Sequence, residues 1–356
     1  MRGVSRMQQS DIQSRRQEFD PGDMWGAVAR FGDQLEDANR IALPDPATID
    51  AGKISNIVFC GMGGSAIGGD LLSAYFRRNL SVPMMVNRDY QLPGFVGERT
   101  LLIFSSYSGN TEETLSAFDE GRNSGAQIIG ISSNGKLGSE FHRSGIPWIE
   151  IPGGYQPRAA LGYSFLPMAR LFTTIGLVEH SLENDIEETI EVVRDISAIC
   201  EQQNGNQPLS IARDLVGSVP MIYTAPELSV AGVRLKGQVA ENAQMLGFTN
   251  ALPELNHNEI VGWDRQPELL SQLVLLWMVD TEMHPKIRRR VEVTTKLLQD
   301  YPRAIHTLQP RGVSWMARLL SLIHLGDWIS VYAALLQGVD PTPVQRIDLL
   351  KERLAG

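Results

Sequence analysis

The chain has 356 residues, 43% of them apolar, which is enough to bury the cores of two ordinary domains. Its formal net charge is −9 and its basic residues are scattered, apart from a run at Lys286 to Arg290 that reads as a helix face, so nucleic-acid binding is disfavoured. The two cysteines, Cys60 and Cys200, lie in different halves without metal-ligand spacing; neither a disulfide framework nor a zinc site is indicated, and a reducing, cytoplasmic compartment fits. The longest uninterrupted apolar run, "LVLLWMV" at Leu273 to Val279, falls far short of the ~20 residues that a membrane-spanning helix needs.

Residues 1–21 open Arg-rich and polar, with Asp11 and no apolar stripe, and are expected to be a disordered tail. A helix follows around Met24 to Arg40. Strand and helix patterns then alternate: "NIVFC" (56–60), a glycine loop, the helix "IGGDLLSAYFRRN", "PMMVNRD" (83–89), "TLLIFSS" (100–106), a helix over 111–124, "AQIIGISS" (126–133) and "PWIEIP" (147–152). Short apolar runs joined by helices mark a doubly wound parallel sheet, assigned here to residues 22–175. Leu182 to Gln203 reads as a linker helix and "NGNQP" as a loop, together covering residues 176–207. A second alternation fills 208–356, with strands at "VPMIYTA" (219–225), "LVLLWMVD" (273–280) and "AIHTLQ" (304–309). No repeat is visible residue by residue. The final long helix, Ser314 to Gln337, is largely apolar and is expected to be covered by the other domain or another subunit.

Two loops attract attention. "CGMGGSAIGGD", Cys60 to Asp70, joins a strand to a helix, where glycines let backbone amides approach an anion. Gly61, Gly63 and Ala66 also fit the G-x-G-x-x-A spacing of a dinucleotide site, but the next strand ends in Asn87 and Arg88, with Asp89 late for a ribose. A tight turn without ligand stays open beside these. "FSSYSGNTEETL", Phe104 to Leu115, crowds five hydroxyls into the seven residues from Ser105 to Thr111. Capping needs only one or two of them; Ser106, Ser108 and Thr111 at a helix N-terminus suit a phosphate monoester. No Gly-x4-Gly-Lys-Ser/Thr element accompanies them, so this is not a P-loop of the nucleotide type.

The pair "GMGGSAIGGD" and "SYSGNTEETL" resembles the sugar isomerase (SIS) family, whose members bind phosphosugars through such a strand-to-helix loop. The runs "GGYQPRAALGYSF" (153–165), "ENAQ" (241–244) and "PELNHNEIVGW" (253–263) extend the likeness to the bifunctional phosphoglucose/phosphomannose isomerases, over nearly the whole chain beyond residue 20. The resemblance implies two α/β domains of the SIS type, each a doubly wound parallel sheet in an αβα sandwich. It implies interconversion of glucose 6-phosphate or mannose 6-phosphate with fructose 6-phosphate through an enediol, with no cofactor and no metal.

Such a reaction needs a phosphate anchor, a carboxylate base, a cation for the enediolate and an acid/base for ring opening. The anchor falls on Gly63, Gly64, Ser65, Ser106, Ser108 and Thr111. Glu241, in the helical pattern "VRLKGQVAENAQML" beside Val239, Ala240 and Ala243, takes the position of the family's base; without the resemblance the favoured reading is a solvated helix glutamate. His257 matches the ring-opening histidine, often reached from the neighbouring subunit, which implies a homodimer with a shared site. Polar neighbours in "ELNHNE" could fix its tautomer. Arg158 would hold the enediolate and Lys351 resembles a terminal active-site lysine. Gln244, Met245 and Leu246 depart from the Glu-Asn-Ala-Lys-Pro pattern of the family, and Thr342 is a candidate for the threonine linked to dual specificity. The rival readings are a non-catalytic phosphosugar sensor, which could dispense with Glu241, His257 and Arg158, and an aminotransferase-type isomerase module, whose nucleophilic N-terminal cysteine has no counterpart in residues 1–50.

Overall fold

The computed structural model describes residues 11–202 and 205–355. The helices Asp11–Phe19 (α1) and Met24–Ala29 (α2) come first, and Phe31–Ala38 (α3) follows. The expected tail therefore lies outside the described residues only up to residue 10; from Asp11 the chain is helical. Asp20 explains the order: its carboxylate accepts from the amides of Met24 at 2.8 Å and Trp25 at 2.9 Å, so the start of α2 is capped from outside. Trp25 is fully buried, and a side chain of that size removes on the order of 200 Å² from water, gross about 5 kcal/mol. The single helix expected over 24–40 is broken at Arg30, which leaves helical geometry (ψ 18°) while its amide closes the end of α2.

The chain forms two compact units. The first comprises Phe31–Glu191 with Ser314–Met316; the second comprises the described residues of Met1–Arg30, Val192–Val313 and Ala317–Gly356. Residues 22–30 thus cluster with the second unit.

In the first unit run Asn56–Cys60 (β1), Gly63–Tyr75 (α4), Met84–Asn87 (β2), Thr100–Ser106 (β3), Glu112–Gly121 (α5), Gln127–Ser132 (β4), Gly135–Ser144 (α6), Trp148–Glu150 (β5) and Leu161–Thr174 (α7). The five strands are all parallel, in the order β2-β1-β3-β4-β5. Both faces are covered, which is why β3 is buried along its whole length and reads as a continuous apolar run. Val58, Cys60, Leu102 and Phe104 point to one face and pack on Phe118 of α5 and Leu137 and Phe141 of α6. Their aromatic members meet edge to face, with Phe104–Phe118 at 5.3 Å and Phe118–Phe141 at 5.5 Å. Phe59 points the opposite way, onto Gly69 of α4.

Glu183–Glu201 (α8) carries the chain onward. The second unit contains Gln207–Leu215 (α9), Val219–Thr224 (β6), Ser229–Asn242 (α10), Phe248–Ala251 (β7), Pro267–Leu270 (α11), Leu273–Met278 (β8), Pro285–Leu298 (α12), Ala304–Leu308 (β9), Trp315–Gln337 (α13) and Gln345–Ala355 (α14). Its sheet is parallel, ordered β7-β6-β8-β9. Among the described residues only α13 is long and apolar enough to cross a membrane, and 94% of that window is buried inside the protein, so it is a core helix. Residues of the second unit pack along much of it. Trp328 meets Trp25 edge to face at 4.8 Å, and Tyr332 donates to the Cys200 carbonyl at 2.6 Å.

Polar groups lock α10 to α13. Arg234 grips Asp327 with two bonds of 3.1 and 2.8 Å, Gln238 donates to the same carboxylate at 2.9 Å, and Asn242 donates to Ser330 Oγ at 2.9 Å. All five side chains are buried. Burial is the largest influence on Asp327 and raises its proton affinity, while Arg234 and Gln238 pull it back. Replacing Asp327 by alanine strips a buried guanidinium of this partner and should lower the free energy of unfolding by about 3–5 kcal/mol in urea titrations. The paired change Arg234→Met with Asp327→Leu should cost clearly less; equal costs would mean that the lost charge pairing is not the cause.

His324, also on α13, is fully buried, and its Nε2 accepts from Trp328 Nε1 at 3.2 Å and lies 2.8 Å from Ser197 Oγ. Burial pushes its pKa from 6.5 down to about 3, so the folded protein holds it neutral. The unfolded chain takes up a proton below 6.5 that the folded chain refuses until about 3. Stability from this group is therefore complete above 6.5 and falls as pH drops through that window. His324→Gln should flatten the decline of the urea midpoint between pH 6.5 and 4.

Candidate active site

The first sheet reverses its strand order between β1 and β3, and at such a point the loops leaving the carboxyl ends diverge and open a crevice. The loops singled out in the sequence are the two that flank it. After β1 only Gly61 and Met62 precede α4, which begins at Gly63 rather than at Ile67. Gly63, at φ +50°, Gly64 and Ser65 therefore open the helix; the Ser65 amide donates to the Met62 carbonyl at 3.1 Å, and the amides of Gly63 and Gly64 stand at its positive end. Gly61 is required by crowding: a Cβ there would lie 2.9 Å from the Ser105 carbonyl.

At the end of β3, Ser106 is buried with its Oγ 2.9 Å from Thr111 Oγ1. Thr111 is the N-cap of α5, yet its hydroxyl makes no cap bond to the helix. The first turn of α5 thus lacks a side-chain cap, which suits an incoming anion. Ser108 is exposed at the rim, its Oγ accepting from the Asn110 amide at 3.3 Å. Gly109 has φ +66°, and a Cβ on it would come within 1.8 Å of the Asn134 carbonyl, so the turn admits only glycine. Ser65 Oγ, buried, accepts from the Tyr107 amide at 3.0 Å and ties the two loops together. At the end of β2, Asn87 donates to the Gln91 carbonyl at 3.0 Å, Arg88 pairs with Asp70, and the exposed Asp89 accepts from the Tyr90 amide at 2.6 Å.

Arg158 lies on the same edge, in the short helical turn Pro157–Ala159, and is only 4% exposed. Gly64 makes room for it: a Cβ at 64 would sit 2.6 Å from the Pro157 carbonyl and 3.4 Å from the Arg158 nitrogen. Gln34 of α3 fixes the turn from behind, donating to the Ala159 carbonyl and accepting from the Gly162 amide, both at 2.7 Å. Sequence reasoning missed Gln34, because a glutamine in a polar N-terminal helix carries no signal of its own. A desolvated guanidinium next to a helix N-terminus is suited to negative charge on an oxygen. The first unit so gathers Gly63, Gly64, Ser65, Ser106, Ser108, Thr111 and Arg158 on one sheet edge.

The remaining candidates belong to the second unit, on three separate elements. Glu241 is half-buried in the last turn of α10. Val239 and Ala243 beside it are buried as expected, but Ala240 is exposed, and the buried stripe that α10 presents to α13 is polar: Arg234, Gln238 and Asn242 at four-residue intervals. That spacing was the overlooked signal in "VRLKGQVAEN". The turn after Glu241 is closed by Gln244, left-handed at φ +53°, and by Gln337 Nε2 donating to the Ala243 carbonyl at 2.9 Å.

His257 is exposed on the turn Glu254–His257. Its polar neighbours do not orient the ring. Asn256 bonds Thr294 Oγ1 at 2.9 Å and Asn258 bonds Glu254 at 2.8 Å. Beneath them Glu259 accepts from Tyr223 and from Asn250 at 2.6 Å, and Tyr223 in turn accepts from Trp263 Nε1 at 3.0 Å. Burial, followed by Glu259, raises the proton affinity of the Tyr223 phenol, so it remains a donor. These bonds stiffen the loop and leave the imidazole outward. Lys351 is exposed on α14, and residues 345–354 are exposed throughout. Thr342 packs against Gly22, where a Cβ would fall 2.3 Å from its hydroxyl.

The chain is similar to known proteins along most of its length. The profile of the bacterial phospho-glucose isomerase C-terminal SIS domain matches residues 204–354. A bifunctional phosphoglucose/phosphomannose isomerase of Caldicellulosiruptor bescii is 40% identical over 338 residues, 93% of this chain and 99% of that one. Its namesake from Aquifex aeolicus is 38% identical, covering 86% of this chain and 92% of its own. Among solved structures, the C-terminal domain of glucosamine-fructose-6-phosphate aminotransferase from Francisella tularensis superposes with TM-score 0.69 at 12% identity, covering 89% of this chain and 97% of that one, a likeness of fold. With relatives this similar along almost its whole length, the chain belongs to the bifunctional phosphoglucose/phosphomannose isomerase family.

Proposed function

We propose that the protein interconverts glucose 6-phosphate and mannose 6-phosphate with fructose 6-phosphate through a shared enediol. The observation that carries this reading is the single sheet edge on which two helix N-termini, the hydroxyls of Ser106, Ser108 and Thr111, and the buried Arg158 meet. The phosphate is gripped by the first-turn amides and the hydroxyls, which offer donors to its three terminal oxygens. His257 opens the sugar ring by moving a proton between O1 and the ring oxygen. The Glu241 carboxylate takes the C2 proton, the electron pair passes to the carbonyl oxygen at C1, and Arg158 holds the resulting negative charge. The proton is returned at C1 while the O2 hydroxyl proton passes to O1, so that C2 becomes the carbonyl and fructose 6-phosphate results. Because the enediol is planar at C2, the two aldose epimers share one intermediate, and a pocket that lets C2 turn serves both.

We assign Lys351 to the substrate's negative charge and place the working enzyme, a homodimer, in the cytoplasm. The exposed stripe Ile347, Leu350 and Leu354 on α14 supports a dimer, since two copies would cover it. The buried free thiols of Cys60 and Cys200 are at ease in a reducing compartment.

The purified protein, given fructose 6-phosphate alone, should release both glucose 6-phosphate and mannose 6-phosphate. Glu241→Gln should lower kcat by about 10³-fold with KM changed only a few fold. Binding of fructose 6-phosphate without either product would favour the sensor reading, and one aldose without the other would remove only the dual specificity.

The shared site has its own test. If His257 serves the partner's Glu241, mixing and re-equilibrating Glu241→Gln with His257→Asn protein restores one intact site per mixed dimer, about a quarter of wild-type activity for random pairing. No recovery would place His257 in its own subunit's site.

A further inference from the structure

We infer that Tyr107 is a positioning residue that couples the phosphate-gripping loop to the loop carrying Arg158. Tyr107 sits between Ser106 and Ser108, is 9% exposed, and engages each of its polar groups with a different neighbour on the same sheet edge. Its amide donates to Ser65 Oγ in the first turn of α4. Its carbonyl accepts from the Ser133 amide at 3.1 Å and from Ser133 Oγ at 2.6 Å, after β4. Its phenol donates to the Pro152 carbonyl at 3.0 Å and accepts from the Tyr155 amide at 2.9 Å, after β5.

The last pair matters most. Pro152 and Tyr155 bracket Gly153 and Gly154, the latter at φ +93° with open space around it. Two consecutive glycines lose more conformational freedom on ordering than any other pair, so this stretch needs a fastening to hold one shape. The Tyr107 hydroxyl supplies it by bonding on both sides, and Arg158 follows Tyr155 by three residues. A phosphate that settles against Ser106 and Ser108 therefore presses on the same residue that fixes the guanidinium. The structural role of Tyr107 is to set the distance between the end of the sugar that is held and the end that reacts. A shift of the guanidinium by about 1 Å is enough to cost up to 10²-fold in rate.

This inference rests on Arg158 acting on the enediolate, and the test separates the two. The full-length chain, Tyr107→Phe, Arg158→Lys and the double variant are compared by isomerisation of fructose 6-phosphate, by inhibition with inorganic phosphate and by amide hydrogen exchange. Tyr107→Phe keeps the ring and its packing and removes only the two hydroxyl bonds. Its kcat should fall roughly 10- to 100-fold while the phosphate inhibition constant stays within about twofold. Amides 153–159 should exchange at least about tenfold faster, with 63–66 and 112–115 unchanged. In the Arg158→Lys background the further loss from Tyr107→Phe should shrink to about twofold or less, because both changes remove one function. Unchanged exchange at 153–159, a phosphate inhibition constant that rises with the loss of kcat, or additive losses would overturn the coupling. Full turnover by Arg158→Lys would instead remove Arg158 from the chemistry. An impaired Arg158→Lys beside a wild-type-like Tyr107→Phe would sink the role of Tyr107 alone.

Discussion

The site of the first unit depends on one topological constraint: parallel strands in the order β2-β1-β3-β4-β5 must turn in opposite directions from β1 and β3. Each strand delivers a loop and then a helix start to the same edge, so the dipoles of α4 and α5 point their positive ends at a common crevice. Nothing in the loops themselves would achieve this. Glycines at 61, 64 and 109 then let backbones approach to distances that any side chain would forbid. We therefore propose that the hydroxyl crowd at the end of β3 is a surface fitted to an anion that the helix N-termini already favour.

Within that crevice the side chains divide their work by exposure. Ser65 and Ser106 are buried and hold the loops in register, one to Tyr107 and one to Thr111, whereas Ser108 stands at the rim. In the second unit the same division recurs along one helix. Arg234, Gln238 and Asn242 immobilise α10 against α13, and Glu241 is carried on the edge of that stripe. The base that we propose at Glu241 would gain more from such anchoring than from the few contacts of its own carboxylate.

Most strands were legible because both sheets are buried on two faces, which writes them as unbroken apolar runs such as "TLLIF" and "LVLLWM". β7 was not: Phe248–Ala251 is a short edge strand, with Phe248 55% exposed, and carries too little apolar pattern to register. The start of α4 was misjudged for a related reason, since Gly63 and Gly64 are poor helix formers, the first at φ +50° and the second packed too closely on Pro157 for any side chain. The hydroxyl loop and Arg158 announced themselves as residue types. Gln34 and the four-residue ladder on α10 act through partners more than 80 positions away, and no local window contains both halves of such an interaction.

The second unit is assembled from separated stretches of chain, and Trp25 of α2 meets Trp328 and Tyr332 of α13. During synthesis the two sides of that contact are born far apart in time. At about 5–20 residues per second, residues near 25 emerge roughly 15–60 s before those near 330. The first unit, Phe31–Glu191 but for three residues, can collapse meanwhile, while Met24 and Trp25 wait as an apolar flag at the front of the nascent chain. A chain interrupted before α13 therefore lacks both of the rings that Trp25 meets in the finished structure.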